Sequence, residues 1–449
     1  MSKQAQNVNF NEKVDKYVNE KTFFWFVVSC MVIIPLAEFV SELFGVKYTS
    51  QPVILSLYGY LGVVMCLLRI ICKAKTKSLK TADIFYITLI VFSAISLIFS
   101  TDFQNSVEGW HYDELPAHFL AYYSLMYAAA QVTDHKRIKM ILKVFIALAL
   151  FEGIIGLLQS FEIKIEEVYF GSTTVQVYGL TQNTNFFGGL SVLFVGVTAA
   201  SFVLLKNIKA KIVLALLFAL SFYCSFNSMA RLAWVGDLAI VCFLLISILI
   251  MRKKDPERKV FGNNIKSWGI MVVILVLVIG ISAFKTDLIA ERVTQSTSEI
   301  ESDSFDSFGS MRGYIWRVCL STVPKYWATG IGLDNLRHCF WDLPDWQEGD
   351  YSQGKAHNEY IHTLVTQGVF ALLNYLLLLF LSAKRAIKTI VHSPDSEERT
   401  VWWIVLTMFT GYVCQAFFNS SIINVAMYFW VVVGMLNPKD KCVTGDDFI

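Results

Sequence analysis

The residues best suited to chemistry lie in one long polar stretch between two hydrophobic segments, from Arg312 to Gly368. Arg312 and Arg317 carry guanidinium groups, which stay charged and bind phosphate through two parallel hydrogen bonds. His357 carries an imidazole, whose ordinary pKa near neutrality suits it to accept a proton from a hydroxyl. This combination predicts a site that binds an anion and activates a hydroxyl, although a lone histidine in a polar loop is more often simply solvated.

Other polar segments are predicted to reach the same membrane face. Asn183 and Asn185 lie in the segment 179–189, just before one hydrophobic run, and Arg231 opens another. Arg231 and Arg312 could together hold a diphosphate and stabilise it as a leaving group. Alternatively, each arginine could extend to lipid headgroups or to solvent.

The neighbours of the candidate base offer further contacts. Asn358 and Glu359 could orient His357 or bind sugar hydroxyls, and Gly330 and Gly332 could bring backbone N–H groups close to an anionic oxygen. Arg317 follows Arg312 by five residues on a predicted helix, which favours a structural role for it.

The elements that must position these groups are membrane helices. Of the 449 residues, 55% are hydrophobic and 16% are charged, whereas soluble domains have about 25% charged residues. The sequence therefore predicts an all-α polytopic membrane protein. About twelve runs are long enough to cross the hydrocarbon, namely those near 22–44, 52–72, 82–100, 116–133, 138–160, 185–205, 210–227, 231–251, 266–284, 364–383, 400–418 and 420–437.

Loop charges predict the orientation, because lysine and arginine concentrate in cytoplasmic loops. Such cations alternate from loop to loop, and the loop 101–115 has none. Both termini are then cytoplasmic. The predicted organisation is a tail (1–21), nine helices (22–284), one long extracytoplasmic catalytic loop (285–363), three helices (364–437) and a second tail (438–449).

The long loop is predicted to contain both solvent-facing and helical parts. Residues 296–310 are rich in Ser, Asp and Glu and are predicted to be flexible or solvent-facing. Residues 311–326 have apolar residues at helical spacing and predict a short interfacial helix, ended by Pro324 and the glycines after it. Cys319 and Cys339 lie in this loop, and whether they pair is left open.

The motifs in this order resemble those of the O-antigen ligase and polymerase superfamily. His357-Asn358 followed by Gly368 resembles the ligase signature, and Arg312 and Trp316 followed by Gly330-x-Gly332 resemble the pattern upstream of it. Segment 179–189 is similar to the Gly-x-x-x-Asn-x-Asn element of the family. Two positions depart from the pattern: Ala230 stands where a serine is expected before Arg231, and Ala371 stands where a second glycine is expected.

The resemblance implies a twelve-span, GT-C-like helical fold that uses polyprenyl-diphosphate-linked donors without a metal or other cofactor. It implies that Arg231 and Arg312 bind the diphosphate and that His357 is the base or orients the acceptor. The substrate-binding residues that follow from the motifs and the reasoning above are Asn183, Asn185, Trp316, Arg317, Gly330, Gly332, Asn358, Glu359 and Gly368.

We therefore expect a metal-independent, inverting glycosyltransferase at the outer face of the bacterial cytoplasmic (inner) membrane. Its donor would be an undecaprenyl-diphosphate-linked glycan in the lipid bilayer. Its acceptor would be a glycan, lipid or protein hydroxyl, so that polymerase and ligase both remain open, and nucleic acid is not expected as a partner. Two alternatives of other classes are a flippase for lipid-linked oligosaccharide and a non-catalytic envelope scaffold.

Overall fold

The computed structural model describes residues 14–44, 50–74, 79–109, 114–163, 176–181, 183–252, 259–301, 304–347 and 350–438. Most of the predicted N-terminal tail, the predicted C-terminal tail after residue 438 and several of the loop cations used for orientation lie outside the described residues.

The described residues form α-helices, two single 3₁₀ turns and no strand. Numbered in chain order, the helices are α1 (Glu20–Leu43), α2 (Ser50–Ala74), α3 (Thr81–Ile98), α4 (Phe103–Glu108), α5 (Pro116–Gln131), α6 (His135–Ser160), α7 (Thr184–Leu204), α8 (Ile208–Asn227), α9 (Arg231–Met251), α10 (Lys259–Lys285), α11 (Leu288–Glu301), α12 (Phe308–Tyr326), α13 (His338–Trp341), α14 (Glu359–His392), α15 (Ser396–Gln415) and α16 (Ile423–Met435).

The architecture confirms an all-α polytopic membrane protein. Ten helices of the described part are long and apolar enough to cross a membrane, rather than the twelve expected. The two remaining predicted spans fold as α5, with 16 residues, and α16, with 13. At about 1.5 Å per residue they rise only about 24 and 20 Å, less than the thickness of a hydrocarbon core. Both are enclosed by neighbouring helices.

The centre of the bundle is α7, which packs against α8, α9 and α15. All of its residues from Phe187 to Leu204 are buried, as expected of a helix that is hydrophobic on every face. Helix α5 packs against α2 and α16 in the same way. The interior therefore consists of these enclosed helices, and the more exposed spans surround them.

Two acidic side chains within the spans accept hydrogen bonds from protein groups. The Asp237 carboxylate on α9 accepts a hydrogen bond from Ser225 Oγ at 2.7 Å, and the Glu152 carboxylate on α6 accepts one from the backbone N–H of Leu180 at 3.1 Å. A buried carboxylate needs such partners, and these hydrogen bonds supply them.

The long segment between α10 and α14 is mostly helical. Helix α11 occupies part of the stretch predicted to be flexible, although most of its side chains are exposed as expected. Helix α12 confirms that this stretch is helical, but Pro324 lies inside its last turn and the helix ends at Tyr326. Cys319 and Cys339 are free thiols buried in one apolar cluster.

Candidate active site

Arg312 is placed by an unusual turn at the start of α12. Gly309, Ser310 and Met311 all have positive φ angles of 59–69°, so regular helix begins at Arg312. The guanidinium donates one hydrogen bond, from Nη1 to the carbonyl oxygen of Gly309 at 3.0 Å. Its buried Nε has no partner among the described residues. Because a guanidinium has five donors, most of its capacity is left for a ligand.

Arg231 lies next to Arg312 and starts α9 at the same end of the bundle. Its guanidinium forms a bidentate ion pair with Glu299 of α11, with Nη1 2.7 Å from Oε2 and Nη2 3.2 Å from Oε1. Burial, and then the neighbouring charge of Arg231, lower the pKa of Arg312 to about 10. The Arg312 guanidinium therefore remains charged at neutral pH, with the Arg231 guanidinium close to it.

His357 precedes α14 and lies near Arg312. Its φ angle is +49°, its side chain is half-buried, and its Nδ1 has no partner in the part of the chain that the structure describes. Burial, and then the positive charges of Arg312 and Lys355, lower the pKa of His357 to about 4. The imidazole is therefore neutral at pH 7 and has a lone pair available for a proton.

Two contacts fix the backbone on either side of His357. Trp316 Nε1 on α12 donates to the carbonyl oxygen of Ala356 at 2.9 Å. The side-chain oxygen of Asn358 caps α14 by accepting from the N–H groups of Tyr360 and Ile361, each at 3.0 Å. Trp316 and Asn358, both predicted to bind substrate, thus have defined structural contacts that hold the histidine.

A buried ion pair connects the loop that carries His357 to the helix bundle. Lys355 Nζ contacts the carboxylate of Glu114, and the two side chains are only 1% and 4% exposed. Glu114 lies just before α5, so the pair joins the loop of His357 to the centre of the bundle. Glu114, Glu359 and His362 also line a common cavity. The sequence analysis missed this pair, because nothing near either residue in the sequence indicates it.

Gly330, Gly332 and Gly368 allow two backbone segments to approach each other closely. Gly368 breaks α14 with a φ of +86°, and a Cβ there would lie 2.4 Å from the carbonyl oxygen of Ala328. A Cβ on Gly330 would lie 2.2 Å from the carbonyl group of Thr366. The N–H of Gly330 donates to Tyr326 O at 2.9 Å, and that of Gly332 donates to Thr366 O at 3.0 Å. Because protein carbonyls already accept these N–H groups, the glycines bring segments together and do not present free donors to an anion.

The other predicted substrate-binding residues lie at varied places around this centre. Asn183 is exposed and caps α7 through its side-chain oxygen, and Asn185, two residues further on, is half-buried. Glu359 accepts a hydrogen bond from the backbone N–H of Ser421. Arg317 is exposed and paired with Asp306, with Nη2 2.6 Å from Oδ2. Arg317 is therefore engaged in a surface ion pair, in contrast to Arg312.

Sequence reasoning also missed Glu299, which lies in the stretch predicted to be solvent-facing. It is 68 residues from its partner Arg231, and no periodicity or motif connects the two positions. No group of three or more His, Cys, Asp or Glu side chains that could hold a metal ion occurs among the described residues.

The fold and the site together define a multi-pass helical membrane protein with a cationic site beside a neutral histidine at one end of its bundle. Residues 214–376 match the family model described as O-antigen ligase. Over these residues the chain is similar to the O-antigen ligase family, which confirms the predicted resemblance. The match runs from α8 into α14 and includes Arg231, Arg312 and His357. A comparison with curated proteins gives no match.

Proposed function

We propose that the protein transfers a glycan from a polyprenyl-diphosphate carrier to an acceptor hydroxyl at the outer face of the cytoplasmic membrane. The observation that carries this proposal is the convergence of Arg231, Arg312 and His357 from three separate segments, with Arg312 Nε and His357 Nδ1 both buried and unpartnered within the described chain. Buried polar atoms are normally satisfied, so these atoms are suited to meet a polar ligand.

The two arginines would hold the diphosphate of the donor. Bidentate guanidinium contacts match phosphate oxygens in geometry and charge, and two cations would stabilise the negative charge that develops as the diphosphate leaves. In this proposal guanidinium groups neutralise the leaving group, and no metal ion is required.

His357 would accept the proton of the acceptor hydroxyl. The oxygen would then attack the anomeric carbon from the side opposite the diphosphate, which inverts the configuration at that carbon. The low pKa of free His357 arises from burial and from neighbouring cations. A bound diphosphate adds negative charge beside those cations and would raise the pKa of the imidazole, because a nearby opposite charge favours the protonated form. The base would therefore become stronger once the donor is bound.

The test is glycan transfer by purified protein in liposomes that contain a lipid-diphosphate-linked repeat unit. Wild type would form longer lipid-linked products if the protein is a polymerase, or would need an added lipid or protein acceptor if it is a ligase. Arg312→Ala and His357→Ala should each lose transfer by about 100-fold or more, as expected for charge-stabilising and general-base groups.

Arg317→Ala is the matched control, because it removes an exposed arginine from the same helix. It should retain near wild-type transfer. Equal loss in Arg312→Ala and Arg317→Ala would contradict the proposed role of Arg312. A wild type that moves the lipid-linked glycan across the bilayer without transferring it would indicate a flippase. A wild type inert in both assays would favour a scaffold.

A further inference from the structure

The carboxylate of Glu299 lies against the guanidinium of Arg231. Both of its oxygens face guanidinium nitrogens, at 2.7 and 3.2 Å. The Arg231 side chain also donates to Ser296 Oγ at 3.1 Å and contacts Ser310 Oγ. This bidentate arrangement is the one that guanidinium uses for phosphate oxygens as well as for carboxylates. A diphosphate could therefore reach the same donors only if Glu299 moves away.

Glu299 also contacts the turn that carries Arg312. Its Oε2 accepts a hydrogen bond from the backbone N–H of Ser310 at 3.2 Å, and Ser310 Oγ lies 3.3 Å from Oε1. Ser310 and Met311 hold positive φ angles, which side chains other than glycine adopt at a cost. The carboxylate thus joins three elements at one point: α9, α11 and the turn at the start of α12.

The helix that carries Glu299 is suited to move. Most side chains of α11 are exposed, and the helix makes few packing contacts with α10 and α12. Segments with few buried contacts open at low free-energy cost. The Glu299 side chain itself is only 12% exposed, because Arg231 and the turn cover it. Its position is therefore set by polar contacts and not by burial of an apolar helix face.

We propose that Glu299 is an internal stand-in for the donor diphosphate. Its carboxylate holds α11 over Arg231 until the donor displaces it. The inference rests on the proposed function in one respect, namely that Arg231 binds the diphosphate. Displacement exchanges one anion for another on the same guanidinium, so the arginine charge is neutralised both with and without donor. It also releases Ser310, and with it the turn before Arg312, at the moment when the donor arrives.

The test measures binding of undecaprenyl diphosphate, without any glycan, to the full-length protein in nanodiscs. Glu299→Gln removes the competing charge and keeps the size of the side chain. The dissociation constant should fall by about tenfold, within the usual range for coupled binding interactions. Glu291→Gln, an exposed carboxylate on the same helix, is the control and should bind as wild type does. Arg231→Ala should lose binding whether Glu299 is present or not.

A purely structural Glu299 gives the opposite result, because the variant would then leave Arg231 misplaced and bind more weakly. Weaker or unchanged binding in Glu299→Gln, or no binding to wild type and variant alike, overturns the inference. Hydrogen exchange supplies a second measurement: the α11 amides should exchange faster when wild type binds the diphosphate, and unchanged exchange would contradict displacement.

The two proposals fail in distinguishable ways. Tighter diphosphate binding by Glu299→Gln in a protein that transfers no glycan would support the stand-in and reject the transferase. Glycan transfer by wild type, together with unchanged diphosphate binding in Glu299→Gln, would support the transferase and reject the stand-in.

Discussion

At the scale of single residues, the same side-chain type has different roles according to burial. Arg312 and Arg317 lie five positions apart on one helix. Arg317 is exposed and forms an ion pair with Asp306, whereas Arg312 is half-buried, and its Nε has no partner among the described residues. Surface pairs contribute little because solvent screens them. A buried guanidinium with free donors is the one suited to bind an anion.

His357 leads to a prediction about pH. Its pKa in the free protein is lowered from 6.5 to about 4 by burial and by Arg312 and Lys355. A general base is active when unprotonated, so kcat/KM should stay level as pH falls from about 7 to about 5 and should decline only near pH 4. The measurement is kcat/KM for transfer against pH, since this ratio reports the free enzyme. A decline centred near 6.5 would contradict the environment described for His357.

At the scale of elements, the site depends on how α12 and α14 are joined. The break of α14 at Gly368 brings its first turns against the segment that follows α12, through hydrogen bonds from Ile331 N to Val365 O at 2.9 Å and from Val369 N to Trp327 O at 2.7 Å. Trp316 then fixes Ala356 beside His357. The motif glycines thus act at a distance, by setting the relative position of Arg312 and His357.

The ion pair between Lys355 and Glu114 leads to a prediction about stability. Glu114→Gln leaves the ammonium of Lys355 buried without this carboxylate, and breaking such a pair costs about 3–5 kcal/mol. The thermal unfolding midpoint in detergent should therefore fall by several degrees. Transfer should fall as well, because Lys355 is two residues from His357.

The matched comparison is Asp306→Asn, which breaks the exposed pair with Arg317. Its unfolding midpoint should change much less, since both groups are hydrated with or without the pair. Equal shifts in the two variants would show that the buried pair does not anchor the loop of His357.

At the scale of the whole molecule, hydropathy and loop motifs predicted most of the architecture. The spans were located because apolar runs of this length have few alternatives to a membrane helix. Arg231, Arg312 and His357 were selected from residue type and motif order, and the structure brings them together. Ten of the twelve predicted spans are long and apolar enough to cross a membrane in the described part of the chain, whereas α5 and α16 are shorter apolar helices. Hydropathy does not distinguish a helix buried by protein from one buried by lipid.

The parts that escaped prediction are long-range polar pairs. Glu299 and Arg231 are separated by 68 residues, and Lys355 and Glu114 by 241. Pairing over such separations depends on how the helices pack, and the local sequence around each residue does not indicate it. The stretch containing Glu299 is polar, and polarity alone indicated solvent exposure. Similarly, Gly330 and Gly332 were interpreted as donors to an anion, whereas close backbone approach in the folded chain explains them.

In the proposed function, Arg231 and Arg312 jointly hold the diphosphate of a lipid-linked glycan beside His357. The most direct measurement is a cryo-EM structure of the protein in nanodiscs with a bound polyprenyl-diphosphate glycan. We predict density for the diphosphate between the two guanidinium groups, with the anomeric carbon facing His357 and Glu299 withdrawn from Arg231. Diphosphate density elsewhere, with the pair of Arg231 and Glu299 intact, would contradict the claim.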